Sequence, residues 1–587
     1  MAKEILFNYF ITIGESVKSI IKNYFEKRIK LFAILFAVAL YTYYAILSIN
    51  LPFISDDLII LFKMKNNFFP LGDWLNGVQG YFRPVTILAF FIMKNLFNTN
   101  AFFNYLINIS LHFLNAYILF KILFSLYKQR FIKNEKVIYF ITLVFLVLPH
   151  NQLNIFWISE INDIIATLLG LLTVYFWVKY NFENKKSKLL LSLLFFIVAF
   201  MTKETALLII YYFIAIDFIY YINRYLSKKI ISSHLLFFVI IALYFIFRIF
   251  NFGSVFTNRF SFDINLKSTF YSIWQMLLPI DILDLIAAYN IYGSIFIIYV
   301  SLMIIFVSLF VMFLVKGKKN NKIMILLYLL FLLFILLINS NFLLSSRILY
   351  ILIPLSLMSL IFINFQKKKK NILLYALLIF YSILISIGQI NSYVKIDIIK
   401  EYYNENISFI ENNIEKLNSK KVLDLTSIER IGQFFVPIDK NRLFGLIKNN
   451  RFDDIKHAFI NPIIYSISVF DKDYNKNLVY EYNDKLNILT ISTLNDNTII
   501  DYEKEKYDFP FTKVFLYNTD GVVVEECLIK HELRRKYCKK IKLRLNNKLL
   551  NEVLILFHKD GKLTLDNFSN FVKHIKESTD GNNMTTD

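Results

Sequence analysis

The run IYGSIFIIYVSLMIIFVSLFVMFLV, from Ile291 to Val315, holds no charged side chain. As an α-helix rising about 1.5 Å per residue it is long enough to cross a hydrocarbon core of about 30 Å. Similar runs recur along the chain, and their recurrence decides the fold class. Hydrophobic residues make up 57% of 587 residues and charged residues 19%, and the mean hydropathy is +0.51, outside the range of ordinary soluble domains. The sequence reads as an α-helical polytopic membrane protein.

A net charge of +21 invites a nucleic-acid partner, but its distribution argues otherwise. Residues 1–390 hold 35 Lys and Arg against 15 Asp and Glu, whereas residues 391–587 hold 30 against 29. The basic excess belongs to the apolar part of the chain, where topology explains it and no nucleic acid is needed. Six basic clusters punctuate the apolar runs: Lys3 to Lys30, 121–136, 179–188, 224–229, 316–322 and 367–370. Together they hold 26 basic residues, while the alternating loops hold 8: Lys63, Lys65, Arg83, Lys94, Lys203, Arg259, Lys267 and Arg347. The positive-inside rule puts the first set in the cytoplasm and the second outside.

That parity resolves two short runs, VIYFITLVFLVLP (137–149) and LLLSLLFFIVAFM (189–201). An even number of crossings must separate successive cytoplasmic loops, so each pairs with the long run after it. The same parity makes FYSIWQMLLPIDILDLI (270–286) re-entrant or interfacial. About eleven crossings result, with the N-terminus cytoplasmic and residues 391–587 extracytoplasmic, in a cell (inner or plasma) membrane. The first apolar run leads into LSINLPFISDD without a small-x-small cleavage pattern, so it is expected to remain as an anchor. The expected divisions are a basic N-terminus (1–30), a transmembrane domain (31–390) with an outer loop at 50–100, a soluble domain (391–577) and a disordered tail (578–587).

Asp56, Asp57, Arg83, His150, Glu160, Asp163, Lys203, Glu204, Arg259 and Arg347 all fall at outer helix ends or in outer loops. Charges at membrane depth cost a few kcal/mol each on insertion scales and usually face a bundle interior or a wet cavity. Ten on one face predict a polar cavity open to the outside, although headgroup placement and local ion pairing are the plain alternatives. The adjacent carboxylates Asp56 and Asp57 repel, which suits acid–base work or, beside a cation, phosphate or metal chemistry. Asn108 and His112, at i and i+4, share a helix face; that fits a cavity lining and equally fits hydrogen bonding between helices. His112 is more readily an interior residue than a catalyst. His150, after a Pro at an outer helix end, reads as capping or solvated. Trp157 and Tyr350 suit interfacial anchors as well as sugar-stacking platforms.

Several of these stretches resemble the GT-C class of integral membrane glycosyltransferases, in particular the protein O-mannosyltransferase-like branch. FISDDLIILFKMKNN (53–67) resembles the acidic pair of that class's first outer loop. Residues 81–120 resemble the run in which Arg83 and Pro84 are followed by Asn108 and His112. LPHNQLNIFWISEINDIIATLLGLL (148–172) is similar to the segment opening the fourth helix, with Asp163 at the acidic position; MTKETALLIIYYF (201–213) resembles the Lys-Glu loop, and SSRILYILIPL (345–355) the Arg-x-x-Tyr helix start, here Arg347 and Tyr350. Ile161 and Asn162 stand where an Arg often precedes the fourth-helix Asp, and no 34-residue helical repeat follows. The resemblance, over residues 30–390, implies a polyprenyl-phosphate sugar as donor and a protein, lipid or glycan hydroxyl as acceptor. It gives Asp56 the role of base in an inverting transfer, Asp57 that of orienting the acceptor or a bound divalent cation, and Arg83, Lys203, Arg259 and Arg347 that of donor-phosphate ligands. Asn108, His112, His150, Glu160, Asp163, Glu204 and Tyr350 would line the substrate cavity. A polysaccharide polymerase or ligase, a lipid-linked glycan transporter, and a non-catalytic member are the other classes that fit.

Beyond residue 391 the pattern is an amphipathic helix (395–418) and then strands in KVLDLTSI, PIIYSISVF, KLNILTIST, KVFLYNTDGVVVEECLIK and VLILFHKDGKLTLDNF. TDG (519–521) and KDG (559–561) have hairpin character. An α/β or mostly β domain is expected. Cys527 and Cys538 lie here; an oxidising compartment permits a disulfide between them, and two buried free thiols fit equally.

Overall fold

The computed structural model describes residues 28, 30–54, 57, 83–97, 100–132, 135–222, 225, 227–252, 350–358 and 368–419, and from 422 to 582 the strands, one turn and the helix given below. Asp56, Arg259, Arg347, the segment 270–286, the run 291–315, the turn at 519–521 and residues 583–587 lie outside the described residues.

The described part is mostly helical, and five of its helical segments are long and apolar enough to cross a membrane: Lys30–Ser48, Ala101–Lys128, Ile158–Glu183, Glu204–Tyr221 and Lys228–Asn251. We name the helices α1 (Lys30–Ser48), α2 (Pro84–Phe97), α3 (Ala101–Lys128), α4 (Glu135–Val147), α5 (His150–Ile155), α6 (Ile161–Glu183), α7 (Lys186–Phe200), α8 (Ile210–Ile222) and α9 (Lys228–Phe252). Helices α4 and α7, on the two short runs, have 13 and 15 residues. Glycine is scarce in this chain, so helices end on other residues held in the left-handed region: Asn50 (φ 59°) after α1, Arg130 (φ 63°) after α3 and Asn184 (φ 55°) after α6. At the other terminus, Asn100 caps α3 by accepting the Phe103 amide at 3.3 Å.

Helix α6 is the central element, with 67% of its apolar window buried, whereas α1 and α9 bury only 22%. Leu31, Phe32 and Leu35 on α1 and Leu235, Phe238 and Phe250 on α9 are exposed. Such surfaces fit contact with lipid rather than water. Inside, the Trp177 indole donates to Ser233 Oγ at 2.9 Å and packs 4.9 Å from the Phe213 ring, while Ser192 Oγ donates to the Thr173 carbonyl at 2.7 Å. These contacts join α6 to α9, α8 and α7. Gly170 lets the 3-10 turn Glu204–Ile209 approach α6: a Cβ there would lie 2.8 Å from Ile209 Cγ1.

Helix α2 begins and ends at one end of the bundle. The Val85 amide donates to the Met201 carbonyl at 3.2 Å, and Phe97 stacks on Phe103 in the first turn of α3. We call this the module end, because the C-terminal part of the chain packs there. After α10 (Ile353–Met358), helix α11 (Lys368–Asn412) runs unbroken for 45 residues, followed by α12 (Ile414–Ser419). The boundary expected at 390/391 is therefore not a structural break. The physical reason is a shared core: Ile396, Ile399, Tyr402, Tyr403 and Ile410 of α11 join Tyr44, Leu51, Ile54, Tyr105, Ile109 and Phe156 of the bundle in one buried cluster with strand residues Val422, Ile491 and Leu556.

The described strands of the C-terminal part form two sheets. One has the order β12-β11-β1-β4, from β1 (Val422–Asp424), β4 (Phe459–Ile460), β11 (Leu554–Lys559) and β12 (Lys562–Asn567); β1 runs parallel to β11 and β4. The other follows β3-β2-β5-β8-β10-β7-β6, with β9 on β10. Its strands are β2 (Ile428–Ile431), β3 (Phe434–Phe435), β5 (Tyr465–Val469), β6 (Leu478–Asn483), β7 (Ile488–Thr493), β8 (Thr498–Glu503), β9 (Val522–Lys530) and β10 (Arg535–Arg544). The hairpin expected at 559–561 forms, with Lys559 opposite Lys562. The last helix, α13 (Phe568–Asn582), extends past residue 577, which corrects the expected start of a disordered tail. Its Phe568, Phe571 and Ile575 enter the shared core, and i→i+4 bonding propagates the helix beyond that anchored face.

Candidate functional site

The segment 148–160 links α4 to α6 and is buried almost throughout, its polar side chains included: His150, Asn151, Gln152 and Asn154 are at most 1% exposed. Backbone groups so placed need partners, and polar side chains on neighbouring elements supply them. Asn108 on α3 donates to the carbonyls of Trp157 at 3.1 Å and Asn154 at 3.3 Å. The Asn151 side chain donates its Nδ2 to the Phe145 carbonyl at 2.5 Å. Gln389 on α11 donates to Tyr44 Oη at 3.3 Å and to the Val147 carbonyl, and accepts from Gln152.

Asp57 is fully buried and sits at the N-terminal side of the 3-10 turn Ile158–Glu160. Its Oδ1 accepts the Ser159 amide at 2.6 Å, and its Oδ2 accepts the amides of Ile158 at 3.1 Å and Ile54 at 3.3 Å. A carboxylate receiving several backbone amides is a strong acceptor and fixes the backbone that donates to it. The role expected from the resemblance was orientation of an acceptor or cation; the geometry makes Asp57 the peg that locks the entrance to α6.

That peg sets the next residues. Glu160 and Asp163, 4% and 2% exposed, face Lys203, which enters from the α7 exit. Lys203 Nζ forms an ion pair with Asp163, lies 3.7 Å from Glu160 Oε2 and 3.4 Å from Asn162 Oδ1. The adjacent Glu204 turns to two guanidiniums. Arg83 donates Nη2 and Nε to its Oε2 at 2.7 and 3.2 Å, and Arg248 donates Nη1 to its Oε1 at 3.3 Å. Three cations thus meet three carboxylates, and Arg83, with 23% of its side chain exposed, is the most accessible of the cations.

One turn deeper lies a neutral group. His112 Nε2 lies 3.3 Å from the Leu146 carbonyl, which only accepts, so that nitrogen carries the proton. His112 Nδ1 then accepts from Tyr350 Oη at 2.7 Å. Tyr350 Oη in turn accepts from Asn115 Nδ2 at 3.2 Å, and that amide also reaches the Ile164 carbonyl at 3.0 Å. This arrangement is the interior hydrogen-bonded histidine expected as the plain reading. Tyr350, fully buried, belongs to the same network rather than to an interfacial belt. His150, expected to cap or to be solvated, is buried instead, because the shared core covers the 148–160 segment.

Of the residues singled out from the sequence, the structure brings Lys203 to Glu160 and Asp163, and Arg83 to Glu204, two charged groups joined by the consecutive residues Lys203 and Glu204. Asp57 and Asn108 fix the 148–160 segment, and His112 and Tyr350 lie in a neutral network. Asp56, Arg259 and Arg347 lie outside the described residues. Sequence reasoning missed Arg248, within the apolar run of α9. Its signal was its isolation: a lone Arg in a membrane-length helix demands a carboxylate. Asn115 was missed as well, although Asn104, Asn108, His112 and Asn115 form a single polar stripe on α3. Among the described residues no group of three or more His, Cys, Asp or Glu side chains is arranged to hold a metal ion. No protein-family model and no curated protein matches the chain.

Proposed function

We propose that this protein is a membrane glycosyltransferase of the GT-C class that passes a sugar from a polyprenyl-phosphate donor to an acceptor hydroxyl on the outer face of a cell membrane. The observation that carries the reading is the gathering of Arg83, Lys203 and Arg248, with Glu160, Asp163 and Glu204, at the end of the bundle that holds Asp57. In this reading Asp56 takes the proton of the acceptor hydroxyl. The oxygen attacks the anomeric carbon in line, the bond from that carbon to the phosphate oxygen breaks, and configuration inverts. The leaving lipid phosphate gains negative charge, which Arg83, more exposed than Lys203 and Arg248, stabilises with help from Arg259 and Arg347. Asp57, held by three amides, is a positioning residue, so Asp56 is the member of the pair assigned to proton transfer. The donor's prenyl chain enters from the bilayer, and the acceptor meets it at the junction with the C-terminal part.

The test is Asp56→Asn in membranes supplied with a polyprenyl-phosphate sugar. Transfer is expected to fall by about 10²-fold or more, with unfolding temperature unchanged. Full transfer by Asp56→Asn overturns the assignment. One observation favours a second reading: Arg83, Lys203 and Arg248 each already have a carboxylate partner, as in a non-catalytic membrane scaffold. Absence of transfer in the unaltered protein with every donor class supplied would favour that scaffold.

A further inference from the structure

Only two cysteines occur in 587 residues, and the fold brings both to one rung of a β-ladder. Strands β9 and β10 pair antiparallel, with Cys527 opposite Cys538. The pairing depends on a bulge. At the hairpin's closed end Lys530 faces Lys536 and Ile529 faces Tyr537; the register then shifts, so that Cys538 faces Cys527 and Glu525 faces Lys540. Leu528 is the extra residue. Without it Cys538 would face Leu528, and the two cysteines would stand on opposite faces, because a one-residue slip inverts every side-chain direction. Directly opposed residues on an antiparallel pair share a face, with Cα atoms about 4.5–5.5 Å apart. That lies within the range of about 4.4–6.8 Å that a disulfide spans.

We propose that Cys527 and Cys538, juxtaposed by the Leu528 bulge on β9 and β10, form an intrachain disulfide. The strand that it would fasten needs fastening: β9 pairs with β10 and with no other described strand, while β10 also pairs with β7 and β8. An edge strand of this kind is the part of a sheet most open to fraying and to mispairing. Formation requires an oxidant, which we assign to the extracytoplasmic thiol–disulfide oxidoreductase class. One cysteine thiolate attacks the oxidoreductase disulfide to give a mixed disulfide, and the second thiolate displaces the enzyme. The electron pair and the two thiol protons end on the oxidoreductase, which leaves as its dithiol. The inference depends on residues 391–587 facing an oxidising compartment and is independent of whether the protein transfers sugar.

The full-length protein in its native membranes is denatured and treated with an alkylating maleimide, once without and once after reduction, then digested and mapped by mass spectrometry. The expected result is no labelled cysteine without reductant, two labelled cysteines after it, and a non-reduced peptide linking Cys527 to Cys538 within one chain. Labelling of both cysteines without reductant overturns the proposal, as does a link joining two chains. Thiol mapping reads no transferase activity, so its outcome stands apart from the Asp56→Asn assay.

Discussion

At the module end of the bundle Asp57, Glu160, Asp163, Lys203 and Arg248 are nearly sealed from solvent. Toward the opposite end several ion pairs stay near the surface, although Asp217 and His234 form a part-buried pair at 2.8 Å. Lys30 and Glu135 meet at 3.5 Å with the lysine side chain 48% exposed, and Lys179 and Glu183 meet at 3.1 Å with each about one-third exposed. Lys229 lies over the Tyr180 ring at 4.4 Å, its stem against the bundle. The two ends therefore use charge in physically different ways. Exposed pairs are close to energetically neutral, because water serves each partner almost as well. Sealed charges carry a desolvation cost that only a complete set of partners offsets, and loss of one partner leaves the other stranded. Among the described residues, three carboxylates and three cations are held in this way at the module end.

The largest effect should follow removal of the lysine shared by two carboxylates. Lys203→Met leaves Asp163 and Glu160 buried without their cation, and a loss of about 3–5 kcal/mol is expected. Thermal unfolding of the purified protein in detergent, followed by tryptophan fluorescence, measures it. A loss no larger than that of an exposed pair would erase the contrast between the two ends.

Next in size is Asp57→Asn. The shape is kept, but one amide-accepting oxygen becomes an NH2 group facing the backbone amides of Ile158 and Ile54. A cost of about 1–3 kcal/mol follows from leaving such donors unpaired, and hydrogen exchange at 158–159 should quicken before exchange in the middle of α6 does. Uniform quickening along α6 would mean that Asp57 supports the whole helix rather than its entrance. Gly170→Ala tests the opposing wall, since the new methyl meets Ile209 at 2.8 Å. Overpacking costs about 1–3 kcal/mol, and the flexible end of Ile209 can absorb part of it. Ile209→Ala in the same chain should restore most of the loss; failure to restore it would place the strain elsewhere.

Much of this contrast is legible in the sequence. The cost of burying charge marks Arg83, Glu160, Asp163, Lys203 and Glu204 as a group, and hydropathy marks the helices that carry them. Pairing is less legible. Arg248 meets Glu204 across 44 residues of chain, a contact made by helix packing and not by local spacing. Asp57 looks like half of an acidic dyad until the 158–160 turn is seen to place its amides around it. His112 and Tyr350 are 238 residues apart, so their hydrogen bond has no local signature either. The change in composition near residue 391 precedes the first described strand, Val422–Asp424, by some thirty residues of helix. It does not reveal that α11 carries the shared core straight through that point, because an amphipathic pattern reports a buried face without naming what covers it.

The smallest predicted effect bears most directly on the comparison, because it sets the baseline at the opposite end. Glu183 closes α6 and meets Lys179 one turn earlier at 3.1 Å and Lys185 at 3.9 Å. Two influences oppose each other there. Its carboxylate gains from the lysines, yet it sits at a helix C-terminus, where the peptide dipoles disfavour negative charge. Glu183→Gln removes both the gain and the penalty, so the expected change is within about 0.5 kcal/mol. Raising ionic strength should shrink even that, since salt reaches this pair freely and reaches Lys203 and Asp163 hardly at all. Should Glu183→Gln instead destabilise the protein as much as Lys203→Met, with the same insensitivity to salt, the loop at 183–186 would have to be as shielded as the module end. The asymmetry between the two ends would then be lost.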